Sequence, residues 1–307
     1  MQHVVESQQF NLEFLNQIYQ LADVMRTDPS PYRLEGKLMA TIFYEPSTRT
    51  RLSFEAAMHR LGGSVISTEK AEVFSSHSKG ESLEDSIRVL AGYADIIALR
   101  HFEIGSAKRA AKVSSVPLIN AGDGAGQHPT QSLLDLYTIQ RHFGGIDGLT
   151  LVMVGDLLYS RTVRSLCYLL GRFYKVKLIF VAPSICAMGQ DIKDFLTQSN
   201  LAWSETEDFN HALSQADCVY MTRIQKERFL DMEHYKQALN IYRIEPENLQ
   251  YLKKNSIVMH PLPRLQEISP EVDGDPRMQF FEQAANGVWV RMALIARLLH
   301  PSLKAKN

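Results

Sequence analysis

Two α/β domains, each a parallel β-sheet flanked by helices, are what this sequence predicts, and three observations carry the prediction. Short apolar runs alternate with amphipathic stretches along the chain, the pattern of strands joined by crossover helices. The alternation pauses at Gly144-Gly145 and restarts near residue 147. The chain has 307 residues, more than one hydrophobic core ordinarily fills.

Asn11 to Arg26 places Leu15, Ile18, Ala22 and Met25 at helical spacing, so the chain opens with a helix. Lys37–Tyr44 reads as a buried strand. Pro46 breaks it, and an amphipathic helix carrying Leu52, Phe54 and Ala56 follows from the run Ser47-Thr48-Arg49-Thr50. Pro46 suits a first helical turn, and Ser47 or Thr48 suits the cap. Ser64–Thr68 reads as a second strand, and AEVFSSHSKGES (71–82) is polar and aperiodic, a loop. A helix over Leu83–Tyr93, a strand over Asp95–Leu99, a short helix over Ser106–Lys112 and a strand over Val116–Asn120 come next. A Gly-rich turn ends at His128-Pro129, and the helix Thr130–Phe143 stops at Gly144.

The second half repeats the alternation. Strands are predicted over Leu149–Val154, Val176–Val181, Cys218–Thr222 and Ser256–His260. Helices are predicted over Thr162–Phe173, Ile192–Gln198, Phe209–Gln215 and from about Met278 to Leu299. The expected division is a first domain over 1–133, a linking helix over 134–146 and a second domain over 147–277.

Composition narrows the function. With 45% hydrophobic and 22% charged residues and a formal net charge of -1, the chain reads as a globular protein with a sizeable core. There is no basic excess for nucleic acid and no polybasic tract for a membrane surface, so neither is an expected partner. Three cysteines (Cys167, Cys186, Cys218) lack metal spacing and fit a reducing compartment; a cytoplasmic location is expected.

Ligands of open parallel sheets sit beyond the carboxyl ends of the strands, and the residues there form a consistent set. Ser47, Thr48, Arg49 and Thr50 follow the first strand at a helix start, where free N–H groups and the dipole favour an anion. Arg49 adds a planar fork for phosphate oxygens, and Arg49 with Arg51 crowds a positive helix end, where cations are otherwise disfavoured. Arg100, then His128 and Gln131, follow the next strands. In the second half Gly155-Asp156 and Arg161, then Arg223 and Gln225, then His260-Pro261-Leu262-Pro263-Arg264 occupy the same position. Arginines gathered at strand ends, without a nucleophile–base motif, indicate a clamp for polyanions. VGDLLYSRTVRS lacks G-x-G-x-x-G, and GDGAGQ lacks the Gly-Lys-Ser/Thr ending of a P-loop, which argues against both nucleotide motifs. His101, His128 and His260 lie in different segments without metal-type spacing, so neither a metal nor another cofactor is expected.

FYEPSTRTRLSFE, VPLINAGDGAGQHPTQSLLDLYTI, MVGDLLYSRTVRSL, YMTRIQKER and HPLPR, in this order, closely resemble the aspartate/ornithine carbamoyltransferase family, and within it the aspartate carbamoyltransferase catalytic chains. The resemblance covers nearly the whole chain. It implies a carbamoyl-phosphate domain completed by the C-terminal helix (278–307), an aspartate domain, and a homotrimer with active sites between subunits. It leaves room for regulatory chains or other pathway enzymes as partners.

The implied activity is transfer of the carbamoyl group of carbamoyl phosphate to the α-amine of L-aspartate, an early step of de novo pyrimidine biosynthesis. Ser47, Thr48, Arg49 and Thr50 match the phosphate cradle, and Arg100 a second cationic contact. His128 and Gln131 match groups around the carbamoyl moiety, while Arg161, Arg223 and Gln225 match the aspartate clamp. Leu262 and Pro263 match backbone carbonyls near the carbamoyl amide and the incoming amine. Ser75 and Lys79 match a loop lent by a neighbouring subunit. Arg49, Thr50, Lys79, Arg100 and His128 are the expected catalytic set. Ornithine carbamoyltransferases resemble HCLP where this chain has His260-Pro261-Leu262-Pro263, which favours aspartate here. A sensor that keeps the fold without turnover is the non-enzymatic alternative.

Overall fold

The computed structural model describes residues 1–69, 71, 80–226, 232–239 and 241–300. It divides into two compact units. One comprises Met1–Leu134 with the segment from Ala285 onward; the other is Asp135–Ala284.

In the first unit β1 (Leu38–Phe43), β2 (Ser64–Glu69), β3 (Ile96–His101) and β4 (Leu118–Asp123) form a parallel sheet in the order β2-β1-β3-β4. Its helices are α1 (Leu12–Thr27), α2 (Thr48–Arg60), α3 (Leu83–Ala91) and α4 (Ser106–Val113), with the start of α5 (Pro129–Phe143) and most of α10 (Phe280–Leu299). β1 is central and buried from Met39 to Phe43, which is why it reads as a continuous apolar run. Ile42, Tyr44, Ile87, Ile97 and Leu99 share one core cluster, and each such buried side chain contributes about 1.5–3 kcal/mol relative to exposure. Asn11 caps α1 by accepting the Phe14 N–H at 2.8 Å. Ser82 caps α3 through the Asp85 N–H at 3.1 Å.

The second unit holds β5 (Thr150–Val154), β6 (Lys177–Val181), β7 (Ala202–Glu205), β8 (Cys218–Met221) and β9 (Ile257–Met259), all parallel, in the order β7-β6-β5-β8-β9. Helices α6 (Arg161–Leu170), α7 (Gln190–Gln198), α8 (Phe209–Gln215) and α9 (Met232–Ala238) belong to it. Val152, Val154, Ile179, Val219 and Val258 form the centre of its core.

Several expectations need correction. Ser47 does stand at the N-cap of α2, but its side chain makes no capping bond. Its backbone N–H donates instead to Glu69 Oε1 at 3.2 Å. Pro46 lies outside the helix, before the cap. β4 begins at Leu118, two residues later than predicted, because Pro117 has no N–H to give the ladder. α6 stops at Leu170, ahead of Gly171, and not at Phe173. β7 and α9 were not predicted; β7 is short and largely exposed, so no apolar run marks it. The N-terminal segment also adds to the first sheet: Val4 N–H donates to Leu118 O at 2.8 Å and Val4 O accepts from Asn120 N–H at 2.7 Å.

Candidate active site

Strand order tells where each sheet opens a crevice. In the first unit β2 lies to one side of β1 and β3 to the other, so the order reverses between β1 and β3. In the second unit it reverses between β5 and β8. Beyond the carboxyl ends at such a point the connections diverge and leave room for a ligand.

Beyond β1 the chain enters α2, whose first intrahelical bond runs from Arg51 N–H to Ser47 O at 3.0 Å. Helix geometry aims the N–H groups of Thr48, Arg49 and Thr50 off the end, and the first turn contains no acidic residue. The two arginines here differ. Arg51 is drawn to Glu55 (3.3 Å) and Glu69 (3.5 Å), while Arg49 is exposed at the helix start and Thr50 is buried. Sequence reasoning treated the pair alike because it could not see Glu69 arriving from β2.

Arg100 is the penultimate residue of β3, which runs two residues further than predicted, so it does not follow the strand as expected. From there it reaches Glu45 Oε2 at 3.3 Å and donates to Ala121 O at 3.4 Å, which stretches its guanidinium across the ends of β1, β3 and β4. Glu45 was missed as the residue that aims this arginine; only its place before Pro46 marked it. Beyond β4 the Gly-rich turn is pinned by Asp123. Its carboxylate accepts from Gln127 N–H at 2.8 Å and from Gly105 N–H at 2.9 Å. Gly124 has φ +53, and a Cβ there would stand 2.4 Å from Phe102 O, so only glycine fits. The turn delivers His128, buried, to the start of α5, where its carbonyl accepts from Gln131 N–H at 2.9 Å. Ser47–Thr50 thus follow β1, His128 and Gln131 follow β4, and Arg100 stands at the carboxyl end of β3 between them.

In the second unit Gly155 has φ +107, and a Cβ would sit 2.2 Å from Thr222 O, so β5 and β8 approach more closely than a side chain permits. Asp156 follows, fully buried. It accepts from Tyr159 N–H at 2.9 Å and from the Gln225 side-chain amide at 3.3 Å. Burial raises its carboxyl above the ordinary range, against the hydrogen bonds from Tyr159 and Gln225 and the charge of Arg223. Asp156 was noted in the sequence only as a strand end; it organises Gln225. Arg161, half-buried, is the first residue of α6, and Arg223 is half-buried just beyond β8. Arg264, grouped with the strand-end arginines in the sequence, is instead paired with Asp273 and stacked over Phe280, with 4.9 Å from its guanidinium carbon to the ring centre. Ser75 and Lys79 lie outside the described residues. Among the described residues no group of three or more His, Cys, Asp or Glu is placed to hold a metal.

His260, just beyond β9, is buried. Its Nδ1 accepts from Leu262 N–H and its Nε2 pairs with Glu267 Oε1, both at 2.8 Å. An accepting Nδ1 leaves the ring proton on Nε2. Burial lowers the imidazole pKa below 6.5; Glu267 opposes the shift, and Arg264 and Arg223 add to it. Burial would raise the Glu267 carboxyl, but the hydrogen bond and charge of His260 and backbone N–H groups outweigh it, and the net shift is downward. As pH falls through 6.5 the unfolded chain protonates this histidine first, so its contribution to stability is complete above 6.5 and declines below it. Denaturant midpoints are expected to fall between pH 7 and about 5, less steeply in His260→Asn. Parallel slopes in the two proteins would contradict this assignment.

Two doubly wound sheets, each with arginines beside its switch point, define a two-unit α/β protein built to hold anions. The chain belongs to the aspartate/ornithine carbamoyltransferase family: the carbamoyl-P binding domain of that family matches residues 2–141 and its Asp/Orn binding domain residues 147–298. It is 51% identical over 301 residues to aspartate carbamoyltransferase 3, chloroplastic, of Pisum sativum, covering 96% of this chain and 77% of that one. The solved catalytic subunit of M. jannaschii aspartate transcarbamoylase is 46% identical, with a TM-score of 0.90 over 98% of this chain and 99% of that one. Aspartate transcarbamoylase from Trypanosoma cruzi, solved with carbamoyl phosphate and aspartate, is 36% identical, with a TM-score of 0.90 over 96% of each chain.

Proposed function

We propose that this chain acts as an aspartate carbamoyltransferase, converting carbamoyl phosphate and L-aspartate to N-carbamoyl-L-aspartate and phosphate in pyrimidine synthesis. The observation that carries the reading is the division of charge. One unit offers a helix start with Arg49 beyond β1 and Arg100 at the carboxyl end of the adjacent strand β3; the other offers Arg161 and Arg223. The first set suits a phosphate and the second a dicarboxylate. Attack of a free amine on an activated carbonyl needs orientation above all, and positioning supplies roughly 7–11 kcal/mol of such a barrier. His128, Thr50 and Arg100 stabilise the tetrahedral oxyanion, and phosphate departs toward Arg49 and the helix start. The departing phosphate takes the amine proton; a protein base identified from pH profiles of single variants would displace this step. Gln131 borders the carbamoyl group, Gln225 the aspartate, and the carbonyls of Leu262 and Pro263 receive the amide and amine N–H groups.

A colorimetric assay for carbamoyl-aspartate, run beside one with ornithine as acceptor, tests the reading. Product from aspartate alone is expected. Product from ornithine alone, or from neither, would overturn it.

The reading extends to a homotrimer in which Ser75 and Lys79 complete a neighbour's site. The edge strand β2 supports it: Ile66 is 37% exposed there and Leu52 on α2 is 50% exposed, although a parallel sheet is ordinarily covered on both faces. Inactive Lys79→Ala and Arg49→Ala chains, mixed and reassembled, are expected to recover activity through hybrid sites carrying neither lesion. No recovery in verified mixed trimers would contradict shared sites. The three cysteines are buried free thiols, which supports a reducing, cytoplasmic setting.

A further inference from the structure

The stretch from His260 to Glu267, which leads out of the last strand, β9, carries more hydrogen bonding than such a connection requires. Leu262 has φ +54, a left-handed conformation that a branched non-glycine residue adopts only when its surroundings enforce it. The enforcing groups are present. Leu262 N–H donates to His260 Nδ1 at 2.8 Å, closing a loop of two residues. Leu265 N–H donates to Glu267 Oε1 at 3.1 Å, and the same oxygen accepts from His260 Nε2–H at 2.8 Å. The carboxylate and the imidazole therefore grip both ends of the turn.

The clamp is itself anchored. His260 N–H donates to Gln283 Oε1 at 2.8 Å, and Gln283 Nε2 donates to Asp135 Oδ1 at 2.6 Å. The other oxygen of Asp135 accepts from Tyr220 OH at 2.7 Å. At the far end Glu267 O accepts from Ile244 N–H at 2.9 Å. His260 is 1% exposed, so water does not stand in for either partner of the ring.

We infer that His260 is a positioning residue. Its Nδ1, by accepting the Leu262 N–H, holds the main chain of Leu262 and Pro263 so that their carbonyls stand ready for the amide and amine hydrogens of the reactants. This inference rests on the function proposed above. It assigns the imidazole no contact with substrate and no proton transfer. What the turn needs from position 260 is an acceptor two residues before Leu262, with the Nε2–H holding Glu267 in place behind it.

Two substitutions separate the two nitrogens. His260→Asn places an amide oxygen where Nδ1 stood, and an Asn side chain readily accepts from the N–H two residues on. His260→Gln reaches toward Glu267 but leaves the Leu262 N–H without its acceptor. With both substrates saturating, His260→Gln is expected to lower kcat roughly 30- to 100-fold, and His260→Asn to stay within about fivefold, because misplacement by about an ångström costs on that order. Both KM values are expected to change little. Equal losses in the two variants, or a Gln variant with unaltered kcat, would overturn the inference.

Long-range nitrogen–proton NMR of the wild-type imidazole supplies a readout apart from turnover. A neutral ring protonated on Nε2 is expected, and a proton on Nδ1 would overturn the clamp even if both variants failed to fold. Wild-type protein inactive toward aspartate would count against the proposed function, while the tautomer would still report on the clamp.

Discussion

Arg49→Ala is expected to lower kcat by roughly 10²–10³-fold, the scale of losing one preorganised donor to developing charge, about 3–4 kcal/mol. Phosphate gains charge as it leaves, so the interaction strengthens toward the transition state and its loss falls on kcat before KM. Arg51 cannot substitute, since Glu55 and Glu69 hold it. Arg49→Lys keeps the charge but not the planar fork, and its rate should lie between the two. Steady-state kinetics against carbamoyl phosphate check this. A raised KM with unchanged kcat would mean that Arg49 binds the ground state and the transition state equally, and would remove it from the catalytic set.

Arg223→Ala is expected to raise the KM for aspartate by about 10- to 150-fold, matching roughly 1.5–3 kcal/mol for a hydrogen bond to a charged group. The KM for carbamoyl phosphate should hardly move, because Arg223 follows β8 of the second unit and the phosphate-type residues belong to the first. A secondary signature accompanies the loss. The charge of Arg223 lowers the pKa of both Asp156 and His260, so both should titrate higher in the variant. Equal damage to both substrates would refute the division of labour between the units.

The parallel sheets were legible because buried strands such as β1 and β5 are apolar on both faces, and the helices between them carry one apolar stripe. The edges were less legible. β7 exposes Ala202, Ser204 and Glu205, a pattern that loops share, and Val4 joins the first sheet through two backbone bonds that no side-chain periodicity announces. Candidate residues could be read from strand ends because the fold class says where ligands go. Their partners could not. Glu69 approaches Ser47 from 22 positions away, and Gln283 reaches His260 from 23. Asp156 stood in plain view after β5, yet its burial and its hold on Gln225 come from β8, a separation that spacing rules do not cover. Arg264 looked like its neighbours until Asp273 occupied it.

The first unit is stitched from two distant parts of the chain, and this dictates an order of assembly. During synthesis Asp135–Ala284 leaves the ribosome as one unbroken stretch, whereas the earlier sheet still lacks residues made afterwards. Those late residues include Val290, Met292, Leu294 and Ile295, all fully buried, and Arg291, which donates to Ser53 Oγ at 2.9 Å and to Thr130 Oγ1 at 3.4 Å. Until they emerge, Ser53 and Phe54 of α2 and Thr130 of α5 lack the guanidinium that packs on them. The first unit can therefore close only after residues beyond 284 have been made, whereas the second needs none of them.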